Sequence, residues 1–288
     1  MNPSGEQYEL AFGDWRACVV EVGGGLRTLA LGDRELLLGY AADELCTSAR
    51  GQVLAPWPNR IAGGRYTFAG RELQLPLNEP ERRTAIHGLV RWAPWELTGR
   101  DESSATLEHV LHPQPGYPFA LRLTVRYALG ADGLEVAAAA ENLGGAPCPF
   151  GLGFHPYLAG DVDGLVLCVP AATTIVTDEQ GAELRREPCD LREPRVLGAR
   201  MLDTTVTGLV RGPDGRARVR AGDLELWCDE AFPFLQLFSG DLPDVGRRGL
   251  AVEPMTCAPN AFRSGDGLLR LTPDERFTGR FGIGVTMS

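Results

Sequence analysis

Short runs in which apolar and polar residues alternate, each closed by a glycine or proline turn, recur along this chain and leave little room for helices. In RYTFAGRELQL (65–75), Tyr66 and Phe68 alternate with polar residues, Ala69-Gly70 can turn tightly, and Leu73 and Leu75 return to the apolar face. LRLTVRYAL (121–129) and LEVAAAAENL (134–143) repeat the pattern around Asp132-Gly133. LELWCD (224–229), FLQLFSG (234–240), GLAVEP (249–254) and FTGRFGIGV (277–285) add further strands. A period of two sends successive side chains to opposite faces of a sheet, whereas a helix needs a 3.6-residue stripe. Few windows show such a stripe. Ala137–Ala140 has helical propensity, but its flanks alternate as strand. The 36 glycines and 21 prolines supply the turns. The expectation is an all-β chain, one sandwich or related architecture forming a single domain over residues 1–288. The order of strands in the sheets is not readable from the pattern.

Composition narrows the function. With 44% hydrophobic residues, the chain can bury a large core without metals or disulfides. The net charge of −10 disfavours nonspecific nucleic-acid binding. All 28 basic residues are arginine, so Schiff-base catalysis by a lysine and Walker-A nucleotide binding are both excluded. The seven cysteines form no C-x-x-C pair and are odd in number, which reads as reduced thiols and a cytoplasmic location. MNPSGEQYEL has no basic or apolar leader region, so no signal peptide is expected. LVLCVPAATTIV (165–176) falls short of the ~20 apolar residues of a membrane helix, so no membrane partner is expected. RREPCDLREPR (185–195) reads as a charged surface loop.

Several residue clusters could carry chemistry. Gly23-Gly24-Gly25 follows a strand-like run, but no amphipathic helix opens after it, so a turn is favoured over a phosphate loop. His109 and His112 would point to opposite faces of a strand, which argues against a shared metal. His87, in TAIHGLVRWAPW, and His155, in FGLGFHPYLAG, lie among aromatics, glycines and prolines. Each could be a packed core histidine or a ring held in a pocket to move a proton. Glu253 leaves a buried strand just before a proline, and is either a hydrogen-bonded anchor for the following turn or a catalytic acid. Asp203 in MLDTTVTGL reads as a loop or turn acid. Asn59-Arg60 could bind hydroxyls or a carboxylate, or cap a turn. Tryptophans 57, 92, 95 and 227 are core residues or stacking platforms for a sugar ring.

The segments NRIAGGRYTFAGRELQLPLNE, AIHGLVRW, GLGFHPYL, LDTTVTGL and VEPMTCAPNAFRSGDGLLRLTPDE, in that order, resemble the aldose 1-epimerase (galactose mutarotase-like) family. The resemblance implies a β-supersandwich opening on a sugar cleft, and an isomerase that interconverts sugar anomers without cofactor or metal. It implies Glu253 as the base that takes the C1 hydroxyl proton, and His155 as the acid that protonates the ring oxygen. It places His87 at the reacting end, with Arg60, Asp203 and Asn59 on sugar hydroxyls. Val206 and Ser239 depart from the family pattern, where an aromatic and a threonine are common. Opposite charges across the cleft would keep Glu253 ionised and His155 protonated at rest. The expected partner is a small sugar such as glucose or galactose, bound by a monomer or a homodimer. Two alternatives stand beside this. One is a sugar carrying a phosphate or sulfonate, met by Arg82, Arg83 and Arg91. The other is a non-catalytic sugar-binding protein of the same fold. Glycoside hydrolysis ranks lower, because no second motif carboxylate stands beside Glu253. Modification of the Cys257 thiol, four residues beyond Glu253, is expected to inhibit.

Overall fold

The computed structural model describes residues 1–286. Two large antiparallel sheets dominate. The nine-stranded sheet runs, edge to edge, Glu96–Arg100, Ser104–Leu111, Leu121–Gly130, Gly133–Asn142, Arg276–Val285, Leu224–Cys228, Ala217–Ala221, Val166–Cys168 and Arg195–Val196. The other sheet runs Glu183–Pro188, Ala171–Thr177, Asp203–Leu209, Phe234–Phe238, Gly249–Met255, Gly153–Phe154 and Val53–Leu54, with Tyr157–Ala159 also pairing to Gly249–Met255. A four-stranded sheet from residues 7–35 adds its apolar face to the same core, through Leu10, Trp15 and Leu29. The two large sheets meet face to face, with the rings of Phe154 and Phe281 4.7 Å apart across the interface. Among the described residues the one helix is the single turn Ala261–Ser264, whose Phe262 packs edge-on against Trp57 and Tyr66. The all-β sandwich read from the alternation is the fold.

The turns account for most local detail. Ala69 and Gly70 both adopt positive φ between Arg65–Phe68 and Arg71–Gln74, as a two-residue hairpin with right-handed strand twist requires. In the hairpin of Leu121–Gly130 with Gly133–Asn142, Gly130 pairs with Gly133. The turn is therefore Ala131-Asp132, one residue earlier than expected, and Gly133 starts the strand. The stretch 185–195 is not wholly a loop. Its first part belongs to the exposed edge strand Glu183–Pro188, while Cys189 and Leu191 are buried. Asp203 likewise heads a strand and is not a loop acid. The three glycines at 23–25 form a turn: a methyl on Gly24 would stand 2.7 Å from the Trp95 ring.

Side-chain parity in three adjacent strands places the site. Leu250 and Val252, Leu235 and Leu237, and Val206 all point into the core between the sheets. The residues of opposite parity therefore face outward. Register sets Thr205 opposite Gln236, and Gln236 opposite Glu253. Strand Gly249–Met255 is nonetheless buried along its whole length, because loops cover its outer face. That cover is the roof of the cleft described below.

Removing the ring at the sheet interface should weaken this packing without touching the outer face. Phe281→Ala is expected to cost about 3–5 kcal/mol, read from the urea midpoint. Val196→Ala, at a side chain 61% exposed, should cost under about 0.5 kcal/mol.

Candidate active site

The outer face of those three strands and the loops above it enclose a cleft of about 290 Å³, small even for a small-molecule site. The six residues that the resemblance assigns to the site all line it: Glu253, His155, His87, Arg60, Asn59 and Asp203. They come from five separate stretches of chain.

His155 and Glu253 form its floor. Nε2 of His155 lies 3.3 Å from Oε1 of Glu253, with side chains only 7% and 2% exposed. His155 precedes Pro156 and is held in extended backbone beside Gly153, where a methyl would stand 2.8 Å from Pro58. Its ring stacks on Tyr157, at 5.0 Å and 19°, and meets His87 edge-on at 5.2 Å. Burial pushes the His155 imidazole down to about 3 and lifts the Glu253 carboxyl well above the usual carboxylate range. This corrects the expectation of a resting ion pair. Desolvation disfavours both charges, so the resting pair is neutral, with the carboxylic acid donating to the imidazole. The neutral pair and the ion pair hold the same number of protons and differ by one short transfer. Nδ1 of His155 and Oε2 of Glu253 have no hydrogen-bond partner among the described residues.

His87 is neutral as well, pushed well below its usual value first by burial and then by the neighbouring His155. Its backbone takes a left-handed φ of 60°, and Gly88 follows so close to Ala55 that a methyl would lie 2.0 Å from the Ala55 carbonyl oxygen. The Asn59 backbone N–H donates to His87 Nδ1 at 3.2 Å. The ring proton therefore sits on Nε2, which has no protein acceptor among the described residues. His87 presents a fixed N–H donor to the cleft.

The polar wall is a chain of paired groups. Arg60 donates twice to Glu79, at 2.8 and 3.0 Å, and its remaining nitrogen lies 3.9 Å from Asp203. Gln236 donates to Asp203 at 2.6 Å and accepts from Thr205 at 2.5 Å. The Asn59 side-chain oxygen accepts from the Arg60 N–H, leaving its amide nitrogen for a ligand. Sequence reasoning missed Gln236 and Glu79. Gln236 had a signal, a lone polar residue inside the apolar FLQLF. Glu79 closes the segment NRIAGGRYTFAGRELQLPLNE, but nothing local marked it as the partner of Arg60. Its carboxylate, like that of Asp203, is already engaged by its neighbours.

Other expectations are corrected by position. No tryptophan lines the cleft: Trp57 and Trp95 are buried in the core, Trp92 is 53% exposed, and Trp227 carries Arg216 over its ring at 3.7 Å. Tyr157 and Phe238 are the aromatic walls. Val206 faces the core and Ser239 bonds to Leu202 and Asp241, so neither departure from the family pattern reaches the site. Arg82 and Arg91 line the cleft, whereas Arg83 is exposed outside it. Cys257 is 1% exposed and its thiol is pushed up to about 12 by burial, which makes it an inert core residue. His109 bonds the Pro94 carbonyl.

Comparison with known proteins agrees with this geometry. The profile of the aldose 1-epimerase family matches residues 6–284. The uncharacterised protein YihR of Escherichia coli K12 is 36% identical over 94% of this chain and 90% of its own. The galactose mutarotase of Sus scrofa is 26% identical over 86% of this chain and 82% of its own. The structure of a GalM/aldose epimerase homologue from Caenorhabditis elegans superposes with a TM-score of 0.86 at 17% identity, over 98% of this chain and 99% of that one. With the family profile spanning nearly the whole chain and the sheets matching this fold, the chain belongs to the aldose 1-epimerase family.

Proposed function

We propose that the protein is a mutarotase that interconverts the α and β anomers of an aldohexose such as glucose or galactose. The buried Glu253–His155 pair carries this reading. Opening a pyranose ring needs a proton removed from the C1 hydroxyl and another delivered to the ring oxygen. The pair offers one base and one acid, 3.3 Å apart, for two oxygens on the same carbon. A sugar hydroxyl donated to Glu253, aided by Arg60 against burial and the nearby Asp203, favours the carboxylate and moves the shared proton onto His155. Glu253 then takes the C1 proton while His155 protonates the ring oxygen and the C1–O5 bond breaks. Rotation about C1–C2 turns the other aldehyde face to O5. Ring closure reverses both transfers and restores the pair. His87 donates its Nε2–H at the reacting end, and Arg60, Asp203, Gln236 and Asn59 hold hydroxyls. The reading places the protein in the cytoplasm, in keeping with its seven free cysteines.

Polarimetry of freshly dissolved α-D-glucose and α-D-galactose tests it. The wild type should accelerate the approach to equilibrium, and His155→Asn and Glu253→Gln should each lose at least about 100-fold in kcat. Sugar binding with no acceleration of anomer exchange by the wild type would instead make this a binding protein.

The pH profile follows from burial. Lowering the imidazole pKa means that a second proton joins the pair only in acid, so kcat/KM should not fall as pH drops through 6.5. The acid limb belongs near pH 3, well below the range of a solvated histidine. An acid limb at pH 6–7 would show a solvated, singly titrating histidine and overturn the neutral pair.

One observation favours a second reading of the substrate. The partly buried Arg91 guanidinium has no salt bridge or hydrogen-bond acceptor among the described residues, and burial pulls its pKa down. An uncompensated cation at a cleft wall is costly, and a phosphate or sulfonate on the sugar would offset that cost. If the substrate is such an acidic sugar, Arg91→Met should cut the ratio of kcat/KM for glucose 6-phosphate over glucose by about 10-fold or more. An unchanged ratio removes the acidic sugar from consideration.

A further inference from the structure

His155 differs from most working histidines in having no acceptor for Nδ1. No hydrogen bond on that side orients the ring, so packing must do so, and the face-on partner is Tyr157. The Tyr157 hydroxyl donates to the backbone carbonyl of Ser48 at 3.2 Å. Ser48 and Ala49 both take left-handed φ, 53° and 55°, a conformation that non-glycine residues hold only when their surroundings impose it. One carboxylate holds two side chains of this turn. Oδ2 of Asp244 accepts from Thr47 Oγ1 at 2.6 Å and from Ser48 Oγ at 2.7 Å. Asp244 lies in the connection between strands Phe234–Phe238 and Gly249–Met255, the two that bear Gln236 and Glu253. In the same connection Val245 packs on Tyr157 and Ala251. Among the described residues these two hydrogen bonds are the only ones that tie the 47–50 loop to the 240–248 connection.

We propose that Asp244 is a positioning residue for His155, acting through Ser48 and the Tyr157 phenol. The carboxylate clamps the Ser48 carbonyl, the carbonyl fixes the tyrosine ring, and the ring sets the plane of the imidazole against Glu253. This rests on the reading of His155 as the proton donor in anomer exchange.

Three variants test it by kcat, KM and the ¹⁵N resonances of the His155 ring. Asp244→Ala should lower kcat about tenfold with KM changed by less than about twofold, because the ring is misplaced and not removed. Asp244→Asn should restore the rate, since an amide oxygen accepts the same two hydroxyl hydrogens. Tyr157→Phe should match the loss, and the double variant Asp244→Ala/Tyr157→Phe should be no slower than either single one, since both break one chain of contacts. Losses that multiply, or an asparagine that does not restore, overturn the proposal. If Asp244→Ala does not fold, Ser48→Ala removes one of the two tying hydroxyls and is read the same way. If the wild type shows no anomer exchange, the imidazole resonances decide alone. They should shift in Asp244→Ala and return in Asp244→Asn, and unshifted resonances overturn the positioning role whatever the reaction.

Discussion

A carboxyl and an imidazole packed 3.3 Å apart with almost no solvent contact can hold one proton between them at little cost, but a second or a missing proton leaves a bare buried charge. The surrounding structure serves that constraint. Strand Gly249–Met255 is covered on both faces, which is unusual for an antiparallel strand. The loops that cover it bring His87, Tyr157 and Arg91 to the same volume. The two histidines are neutral for the same reason, and their edge-on contact at 5.2 Å would be repulsive if both were charged.

The architecture was legible because its cause is local. Alternation in LRLTVRYAL and LEVAAAAENL reports directly which face of a strand is buried, and glycine reports where the backbone must turn left-handed. The site was legible residue by residue only through resemblance. Composition alone could not tell a packed histidine from one poised to move a proton at His155, and the structure shows why: the ring is packed on Tyr157 and also meets Glu253, so the two environments coincide. Charge state was misjudged. The sequence shows that opposite charges come together, but not that water leaves when they do, and desolvation outweighs the attraction. The tryptophans misled for a related reason. A large aromatic is stabilised by core or cleft alike, and only the register of neighbouring strands decides which it meets.

Gln236 and Glu79 illustrate a different gap. Neither was singled out in the sequence, yet each fixes a partner that was, Gln236 through its amide to Asp203 and Glu79 through a two-pronged contact with Arg60. Such supporting contacts join residues 19 and 33 positions apart, beyond the reach of any local pattern.

The cationic side of the cleft is built entirely from guanidinium groups, on Arg60, Arg82 and Arg91. An opened aldose exposes a free aldehyde, which condenses with amines to form imines and, on rearrangement, permanent adducts. Guanidinium groups stay protonated and do not add to it as a lysine amine would. With no lysine anywhere in the chain, a mutarotase built on these residues would have no side-chain amine for its open-chain intermediate to glycate, and would work in concentrated sugar without accumulating that form of chemical damage.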